Sequence, residues 1–279
     1  MKMSKDLIPF FIKELSSFYS DTEAINFAYW CINYMFEKSR SEWKIIEDFE
    51  LKTNEKAQIE NIILKLKDYQ PIQYIFGQTD FYGLKIKVNS SCLIPRPETE
   101  ELVHWILQSE YNNALDIGTG SGCVAVALAK HSNAQISALD KSLEALNIAK
   151  ENAAMHQVNI TFLHHDIFEE IQFNSPFDLI VSNPPYVLNN EKPYMKKNVL
   201  DYEPHLALFV EDDQPLKFYQ QIIHFSKHNL KAQGNIFFEI NEQYADQIKN
   251  LLEKNSFENI LIKKDLQSKN RMVKANKKL

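Results

Sequence analysis

The chain has 279 residues, 44% of them hydrophobic and 24% charged, which is enough for one large globular domain or two modest ones. This composition excludes disordered and fibrous proteins. Acidic residues outnumber basic ones by 37 to 31, for a formal charge of -6, so the net field argues against a protein that coats nucleic-acid phosphates. The net charge is compatible with a local basic patch.

The cysteine pattern and the first residues indicate a reducing compartment. Cys31, Cys92 and Cys123 lie far apart and form no C-x-x-C pair, so we expect no structural zinc and no other metal site. Asp6 and Glu14 interrupt the first apolar runs, which fits neither a secretory signal nor a transit peptide. No apolar stretch approaches the ~20 residues that span a bilayer, and we expect a soluble, cytoplasmic protein without a membrane partner.

Residues 1–69 are predicted to form a small helical bundle. Helical stretches follow three candidate N-caps, which are Asp21, Ser41 and Thr53. The stretch from Thr22 to Lys38 places apolar residues on one face, namely Ile25, Ala28, Tyr29, Ile32 and Met35. Trp30 and Trp43 lie in this region, and we expect both to pack in its core rather than to dock a partner.

Residues 70–92 are predicted to form a β-hairpin that links the bundle to the rest of the chain. Gln73–Phe76 and Leu84–Val88 have the pattern of two short strands with glycines between them. The next segment, 93–100, reads Leu-Ile-Pro-Arg-Pro-Glu-Thr-Glu. Its prolines fix φ, and its acids favour the start of a helix that runs toward Leu107.

Residues 93–279 have the pattern of an α/β domain. The strand-like runs are Ala114–Ile117, Gln135–Leu139, Ile160–His164, Phe177–Ser182, Asn235–Ile240 and Asn259–Lys263. Helical stretches such as Ser142–His156 and Pro215–Leu230 separate them. This alternation predicts a mainly parallel, twisted sheet with helices on both faces and ligands at the carboxyl ends of its strands. The Lys-rich tail is predicted to contain a last edge strand around Arg271–Ala275.

Glycine clusters at one place in this domain. The chain has only six glycines, and three of them fall in a strand-to-helix turn that reads Asp116-Ile117-Gly118-Thr119-Gly120-Ser121-Gly122. Glycines let the backbone pass close under a ligand, and the exposed amides at the start of the helix polarise it. At the end of the next strand, the Asp140 carboxylate can accept hydrogen bonds from both hydroxyls of a ribose.

The glycine spacing departs from the dinucleotide pattern, because Cys123 stands where that pattern requires glycine or alanine. It resembles the S-adenosylmethionine loop of Rossmann-like methyltransferases, in which the acid two residues before the first glycine, here Asp116, helps to hold the methionine end. By the same resemblance, Asp166 and Ile167 recognise adenine. A turn without a ligand and a nicotinamide cofactor are the alternatives for the glycines, and a plain turn is the alternative for Asp166.

The sharpest chemical signal follows the fourth strand and reads Ser182-Asn183-Pro184-Pro185-Tyr186. The two prolines remove backbone donors and leave carbonyl acceptors, and Pro184 keeps Asn183 out of the α region. A planar NH2 group can donate one hydrogen bond to the Asn183 side-chain oxygen and another to the Pro184 carbonyl, which positions its nitrogen for attack on an electrophilic methyl group. Tyr186 can lie against the substrate and attract a sulfonium through its π face.

Together these motifs resemble the HemK/PrmC family, the protein-(glutamine-N5) methyltransferases of peptide chain release factors. Asn183–Tyr186, the glycine turn and Ile94–Glu100 carry the likeness, and Asp201–Leu208 is similar to a family segment that follows the catalytic loop. The resemblance extends over nearly the whole chain. It implies a Rossmann-like class I methyltransferase domain that transfers methyl from S-adenosylmethionine to the glutamine amide of a Gly-Gly-Gln motif.

The resemblance also implies which residues act. Asn183, Pro184 and Tyr186 would be catalytic, and Pro185 would lie beside them in the substrate site. The cofactor would contact Asn183 as well as the glycine turn. The helical domain would grip the release factor. No general base is assigned, because the proton can leave after the nitrogen has become cationic.

The roles of three further charged residues stay open. Arg96 and Glu98 either shape the glutamine site or, in the case of Arg96, form a salt bridge that holds the linker. Glu239, after the fifth strand, either faces the cleft or is merely solvated.

Two other functions are kept as alternatives. Enzymes that methylate DNA adenine and some ribosomal RNA guanines share the Asn-Pro-Pro-Tyr tetrapeptide, and such an enzyme would have a basic groove. A non-catalytic cofactor-binding protein is the third hypothesis. Under the release-factor hypothesis we expect a monomer whose partner is the release factor, with no direct contact to nucleic acid.

Overall fold

The computed structural model describes residues 2–279, which form two compact units. The first, called the helical unit, contains the chain up to Gly77 and also Lys197–Tyr202. The second, called the sheet unit, contains Gln78–Lys196 and Glu203–Leu279.

This division differs from the three predicted domains in two respects. The hairpin groups with the sheet unit rather than standing as a separate linker, and Lys197–Tyr202 groups with the helical unit although it lies far along the chain. Tyr202 accounts for the second difference, because its hydroxyl lies 2.7 Å from the Asp68 carbonyl oxygen and 2.8 Å from the Asp68 carboxylate. The sequence offers no sign of this pairing, since the two residues are 134 positions apart.

The helical unit consists of short helices around an apolar core. They are a 3-10 turn at Ser4–Asp6, α1 Leu7–Leu15, α2 Asp21–Phe36, α3 Arg40–Ile45, α4 Thr53–Lys67, α5 Ile72–Phe76 and, in chain order, α9 Lys197–Leu200. Ser20 and Ser39 cap α2 and α3, and a glutamate three residues later completes each capping box. The predicted caps are therefore displaced: Asp21 and Thr53 are the first residues of their helices, and Ser41 lies inside α3.

The tryptophans of the helical unit differ in their environment. Trp43 is buried in the core, as predicted, and its ring packs against Phe36 and Phe49. Trp30 is 44% exposed on α2, so the prediction that it is a core residue is wrong. Its helix position places it beside the buried face rather than on it.

The predicted strand at Gln73–Phe76 is wrong, because these residues belong to α5. Pro71 is the N-cap of this helix, and Gly77, at φ 69°, ends it in the left-handed conformation that favours glycine. Ile72 is buried in the helical core. Local capping and burial thus override the β-propensity of the aromatic and branched residues.

The sheet unit contains a hairpin, a seven-stranded sheet and a two-residue parallel pair. The strands are β1 Gln78–Phe81, β2 Leu84–Lys87, β3 Asn113–Ile117, β4 Gln135–Asp140, β5 Ile160–His164, β6 Phe177–Ser182, β7 Val187–Leu188, β8 Phe209–Val210, β9 Leu230–Glu239, β10 Phe257–Lys264 and β11 Asn270–Lys277. The helices are α6 Pro97–Ile106, α7 Cys123–His131, α8 Leu143–Met155, α10 His205–Leu208, α11 Lys217–Asn229 and α12 Ala245–Lys254, with 3-10 turns at Asn189–Tyr194 and Glu242–Tyr244.

The large sheet has the strand order β10-β11-β9-β6-β3-β4-β5. Strands β5, β4, β3, β6 and β9 run parallel to one another, and β11 is antiparallel to both of its neighbours. The predicted mainly parallel α/β sheet is confirmed. The prediction of an edge strand at Arg271–Ala275 is wrong, because β11 lies between β9 and β10. Consecutive burial of Met272 and Val273 is what a strand covered on both faces requires.

The register brings the carboxyl ends of four parallel strands to one edge of the sheet. Ile117 at the end of β3 pairs with Leu139 on β4 and with Ser182 on β6, and Asp140 pairs with His164 at the end of β5. The loops that follow these strands therefore meet at the same edge, where α/β sheets bind ligands.

Asn152, on α8, ties the hairpin to the glycine turn. Its Nδ2 donates to the carbonyl oxygens of Lys87 at 3.0 Å and Ser121 at 2.8 Å, and its Oδ1 accepts from the Lys87 N–H at 2.7 Å. The Asn152 side chain is fully buried, so its polar atoms depend on these partners inside the protein.

We expect Asn152→Ala to lower the free energy of unfolding by about 2 kcal/mol, because it leaves the buried Ser121 carbonyl and two partly buried backbone groups of Lys87 without this partner. Urea denaturation followed by circular dichroism measures this. Asn54→Ala, at an exposed position of α4, is the control and should change stability by less than about 0.5 kcal/mol. Equal effects of the two substitutions would contradict the assignment.

Candidate active site

A cavity of about 540 Å³ opens at the carboxyl ends of β3, β4, β5 and β6. Most of the residues predicted from the sequence line it, namely Arg96, Asp116, Gly118, Thr119, Gly120, Ser121, Asp140, Asp166, Ile167, Asn183, Pro184 and Pro185. Glu98, Gly122 and Tyr186 are outside that lining in the described part of the chain. The structure thus brings together the glycine turn, three acids at or just after the ends of β3, β4 and β5, and the proline-rich loop.

The glycine turn requires glycine at all three positions. Gly118, Gly120 and Gly122 have φ values of 73°, 54° and 78°, a region that side chains with a Cβ rarely adopt. A Cβ on Gly122 would also lie 2.8 Å from the Cβ of Ala149 on α8. Gly122 therefore serves close helix packing at the start of α7, while the other two form the floor of the cavity.

Two carboxylates flank this turn. Asp116 is buried and accepts a hydrogen bond from the Thr119 hydroxyl at 2.6 Å, and burial raises the pKa of Asp116 to about 7. Asp140 accepts from the backbone N–H groups of Gly120 at 2.8 Å and Ser142 at 2.9 Å. Both acids are thus held in fixed positions beside the turn.

Asp166 and Ile167 lie on the far wall of the cavity. Asp166 accepts a hydrogen bond from the Phe168 N–H at 3.0 Å, which is typical of the turn residue that was the alternative reading of Asp166. Its carboxylate also pairs with the Lys141 ammonium at 2.7 Å. Because it also lines the cavity, its turn role does not remove it from the site. Ile167 is buried and supplies an apolar surface next to it.

The side chain of Asn183 is held by a chain of hydrogen bonds that ends on a buried carboxylate. Asn183 Nδ2 donates to Thr99 Oγ1 at 3.3 Å, and Thr99 Oγ1 donates to Glu239 Oε2 at 2.6 Å. The Tyr186 hydroxyl donates to the other carboxylate oxygen of Glu239 at 3.0 Å. We call Asn183, Thr99, Glu239 and Tyr186 the Glu239 network.

Glu239 is 1% exposed, so the alternative that it is merely solvated is wrong. Burial raises the pKa of its carboxyl, and the hydrogen bonds from Thr99 and Tyr186 oppose that shift. The Tyr186 hydroxyl is turned toward this carboxylate. Its predicted contact with substrate stays a prediction.

Sequence reasoning missed Thr99 and gave Glu239 no role. A signal for Thr99 was present, because it shares a helical face with Leu102, Val103 and Ile106, all of which are buried. A polar residue on such a face needs a partner inside the protein. For Glu239, the signal was its place directly after the apolar run Ile236–Phe238, which is buried on both faces of β9.

Comparison with known proteins gives matches along nearly the whole chain. A family model described as "Methyltransferase small domain" matches residues 97–201. A protein of Flavobacterium psychrophilum named release factor glutamine methyltransferase is 44% identical over 274 residues, covering 95% of this chain and 96% of that one. A protein of the same name from Streptococcus pneumoniae is 38% identical, with 98% of both chains covered.

The chain belongs to the release factor glutamine methyltransferase family. The fold agrees with this. The structure of a methyltransferase from Pyrococcus furiosus superimposes on this chain with a TM-score of 0.55 at 18% sequence identity, and the match covers 82% of this chain and all of that one. Family membership implies S-adenosylmethionine as methyl donor. No helix within residues 2–279 is long and apolar enough to span a membrane.

In this member of the family, Arg96 forms the salt bridge that was one of its two predicted roles. Its Nη2 lies 2.6 Å from Glu203 Oε1, and Glu203 Oε2 accepts from the Ile94 N–H at 3.1 Å. The Glu203 side chain is buried, whereas Arg96 is partly exposed and also lines the cavity. Glu203 thus fixes the segment that begins α6. The predicted role of Glu98 in the glutamine site stays a prediction.

We expect Arg96→Met to lower the free energy of unfolding by about 2 kcal/mol, because it leaves the buried Glu203 carboxylate without its cation. This value is below that of a fully buried pair, since solvent screens the exposed part of Arg96. Lys85→Met is the control: it breaks an exposed pair with Asp80 and should cost less than about 0.5 kcal/mol. Thermal and urea unfolding of both variants measure the difference, and equal losses would contradict the role of Arg96.

Proposed function

We propose that this chain transfers a methyl group from S-adenosylmethionine to the side-chain amide nitrogen of the glutamine in the Gly-Gly-Gln motif of a peptide chain release factor. The observation that carries this proposal is the fixed amide of Asn183 beside the carbonyl of Pro184, at the cavity that also holds the glycine turn. The names of the relatives that cover almost the whole chain support the same substrate.

The residues present fit the methyl donor. This molecule carries an ammonium group, a ribose and an adenine, and the cavity offers a carboxylate for each, in Asp116, Asp140 and Asp166. The positive φ values of the glycines let backbone amides approach the ligand, and Ile167 supplies an apolar wall. We infer that Asp116 holds the ammonium group, Asp140 the ribose and Asp166 the adenine.

When bound, S-adenosylmethionine supplies an electrophilic methyl group on a positively charged sulfur. The acceptor amide nitrogen is a poor nucleophile, because its lone pair is delocalised into the carbonyl. In our proposal, Asn183 Oδ1 and the Pro184 carbonyl accept its two hydrogens, which favours a pyramidal nitrogen with the lone pair aimed at the methyl carbon. This orientation effect needs no general base, since the proton leaves once the nitrogen is cationic.

The remaining parts of the chain have proposed roles as well. The helical unit is proposed to bind the release factor outside its glutamine loop, so changes on its exposed face should affect protein affinity more than donor affinity. We propose that the protein acts as a cytoplasmic monomer. Pro185 and Tyr186 are proposed to complete the substrate site next to Asn183.

The charge of the cavity suits a cationic methyl donor. Its described lining carries five carboxylates and three lysine or arginine side chains: Asp116, Asp140, Glu144, Asp166 and Glu211, against Arg96, Lys141 and Lys217. A DNA or RNA amino methyltransferase needs a basic groove for phosphates. Because three of these carboxylates are proposed to hold the donor, the labelling experiment decides between protein and nucleic acid as acceptor. The buried network that holds Asn183 weighs against a non-catalytic protein.

Incubation with radiolabelled S-adenosylmethionine tests the proposal. Label should appear on an intact release factor, and it should be absent from a release factor whose Gly-Gly-Gln glutamine is replaced and from bulk DNA or RNA. Labelling of nucleic acid alone would establish the alternative function. Absence of label from all three would refute methyl transfer to the proposed acceptor.

Two substitutions separate acceptor positioning from donor binding. Asn183→Ala should leave the fold and the donor affinity intact but lower turnover by about 10² or more, because a positioned hydrogen bond next to the reacting atom is lost. Asp140→Ala should weaken donor binding instead. Calorimetry and single-turnover rates measure both quantities, and equal losses of donor affinity in the two variants would show that the roles are assigned wrongly.

Donor affinity should depend on pH through Asp116. The free protein protonates Asp116 below pH 7, whereas a bound ammonium group favours its ionised form, so affinity should fall as pH drops from 7.5 to 6, by up to about tenfold per unit below the pKa. Above pH 8 the donor's own amino group, with a pKa of about 8, loses its charge. Calorimetric titrations across this range measure the dependence.

The matched variant for this pH dependence is Asp116→Asn. It should bind the donor more weakly at pH 7.5, and its affinity should no longer fall in the same way between pH 7.5 and 6. If the donor affinity of the variant fell with the same slope between pH 7.5 and 6, the titration would belong to another group of the cavity.

A further inference from the structure

We propose that Thr99 and Glu239 are positioning residues that fix the orientation of the Asn183 amide, so that its Oδ1 atom faces the acceptor nitrogen. This inference rests on the proposed function for its consequence in catalysis. The arrangement of the hydrogen bonds can be tested without it.

The three residues come from separate parts of the sheet unit. Thr99 lies in the first turn of α6, Glu239 is the last residue of β9, and Asn183 follows the end of β6. The register pairs Phe238 with Ser182, so Glu239 at the end of β9 and Asn183, which follows β6, lie at the same edge of the sheet. Thr99 lies between them and bonds to both.

The direction of these hydrogen bonds follows from their last acceptor. Both oxygens of the Glu239 carboxyl group accept a hydrogen bond, Oε2 from Thr99 and Oε1 from Tyr186, so the single hydroxyl hydrogen of Thr99 is committed to Oε2. Thr99 Oγ1 can then offer only lone pairs to Asn183. The NH2 group of Asn183 must face Thr99, because the opposite orientation would bring two acceptor oxygens together.

Orienting the NH2 group toward Thr99 leaves Asn183 Oδ1 on the other side of the amide. An oxygen there can accept a hydrogen bond from the N–H of a substrate carboxamide. If the amide were rotated, its NH2 group would face the substrate N–H, and two donors form no hydrogen bond. Thr99 is 3% and Glu239 1% exposed, so water does not compete for these groups. The orientation of the Asn183 amide is thereby set by Thr99, which also lines the cavity, and by Glu239 behind it, which does not.

Tyr186 uses the second oxygen of the same carboxylate. The first and last side chains of the Asn-Pro-Pro-Tyr tetrapeptide are therefore linked to Glu239, one through Thr99 and one directly. Two donors on one carboxylate satisfy the buried charge, which would otherwise be costly. This shared acceptor accounts for a glutamate that is buried at the end of an apolar strand.

The test compares Thr99→Val, which removes the hydroxyl but keeps the shape, with Thr99→Ser, which keeps the hydroxyl. Full-length variants are mixed with release factor and S-adenosylmethionine under single-turnover conditions, and donor and release-factor affinities are measured separately. We expect Thr99→Val to lower the rate by up to about 10²-fold with both affinities within twofold of the wild type, because the acceptor nitrogen is no longer aimed. Thr99→Ser should restore most of the rate.

A second measurement reads the hydrogen bond directly. The side-chain NH2 resonances of Asn183, identified by their loss in Asn183→Ala, should exchange slowly with water in the wild type and in Thr99→Ser. They should exchange faster in Thr99→Val. Glu239→Gln, which can donate a hydrogen to Thr99 and so release the threonine hydroxyl, should also speed this exchange and lower the rate.

Each result decides the inference. It is overturned if Thr99→Val transfers methyl as fast as the wild type, if Thr99→Ser is as slow as Thr99→Val, or if the lost rate is explained by weaker binding. Failure of the wild type to methylate any release factor refutes the proposed function instead. In that case slow exchange that depends on the Thr99 hydroxyl supports the positioning of Asn183, and its absence overturns it.

Discussion

The carboxylate of Glu239 is the constraint on which the arrangement of the candidate active site depends. A buried carboxyl group is costly unless its oxygens find donors, and here the donors are Thr99 and Tyr186. Because these donors come from α6 and from the loop after β6, satisfying one carboxylate holds three segments together. The proline-rich loop adds stiffness of its own, since its fixed φ values limit the positions that Asn183 can take.

The other half of the site follows from the parallel sheet. Strands that run in the same direction bring their carboxyl ends to one edge, and each of β3, β4 and β5 is followed by an acid or carries one there. The cavity therefore combines a negatively charged wall, which suits a cationic methyl donor, with a rim of oxygen acceptors, which suits a carboxamide. A family of glutamine methyltransferases needs both features next to each other.

The path of the chain after the proline-rich loop was not foreseen. Lys197–Tyr202 belongs to the helical unit, where Tyr202 bonds to Asp68 and the Lys197 ammonium lies 5.0 Å from the centre of the Tyr69 ring. The next residue, Glu203, belongs to the sheet unit and pairs with Arg96. Both anchors join residues more than 100 positions apart, and no local pattern encodes such pairs.

The sequence by itself determined the features that are local. Alternating apolar runs predicted the parallel sheet, glycine scarcity marked the turn at Gly118, and the chemistry of Asn183 and Pro184 indicated an acceptor for NH2 groups. Tertiary structure decided what depends on distant partners: the helix at Ile72–Phe76, the inner place of β11, and the burial of Glu239 against Thr99. The physical reason is that short motifs fix backbone geometry and available atoms, whereas burial and hydrogen-bond direction are set by residues that meet only after the chain has folded.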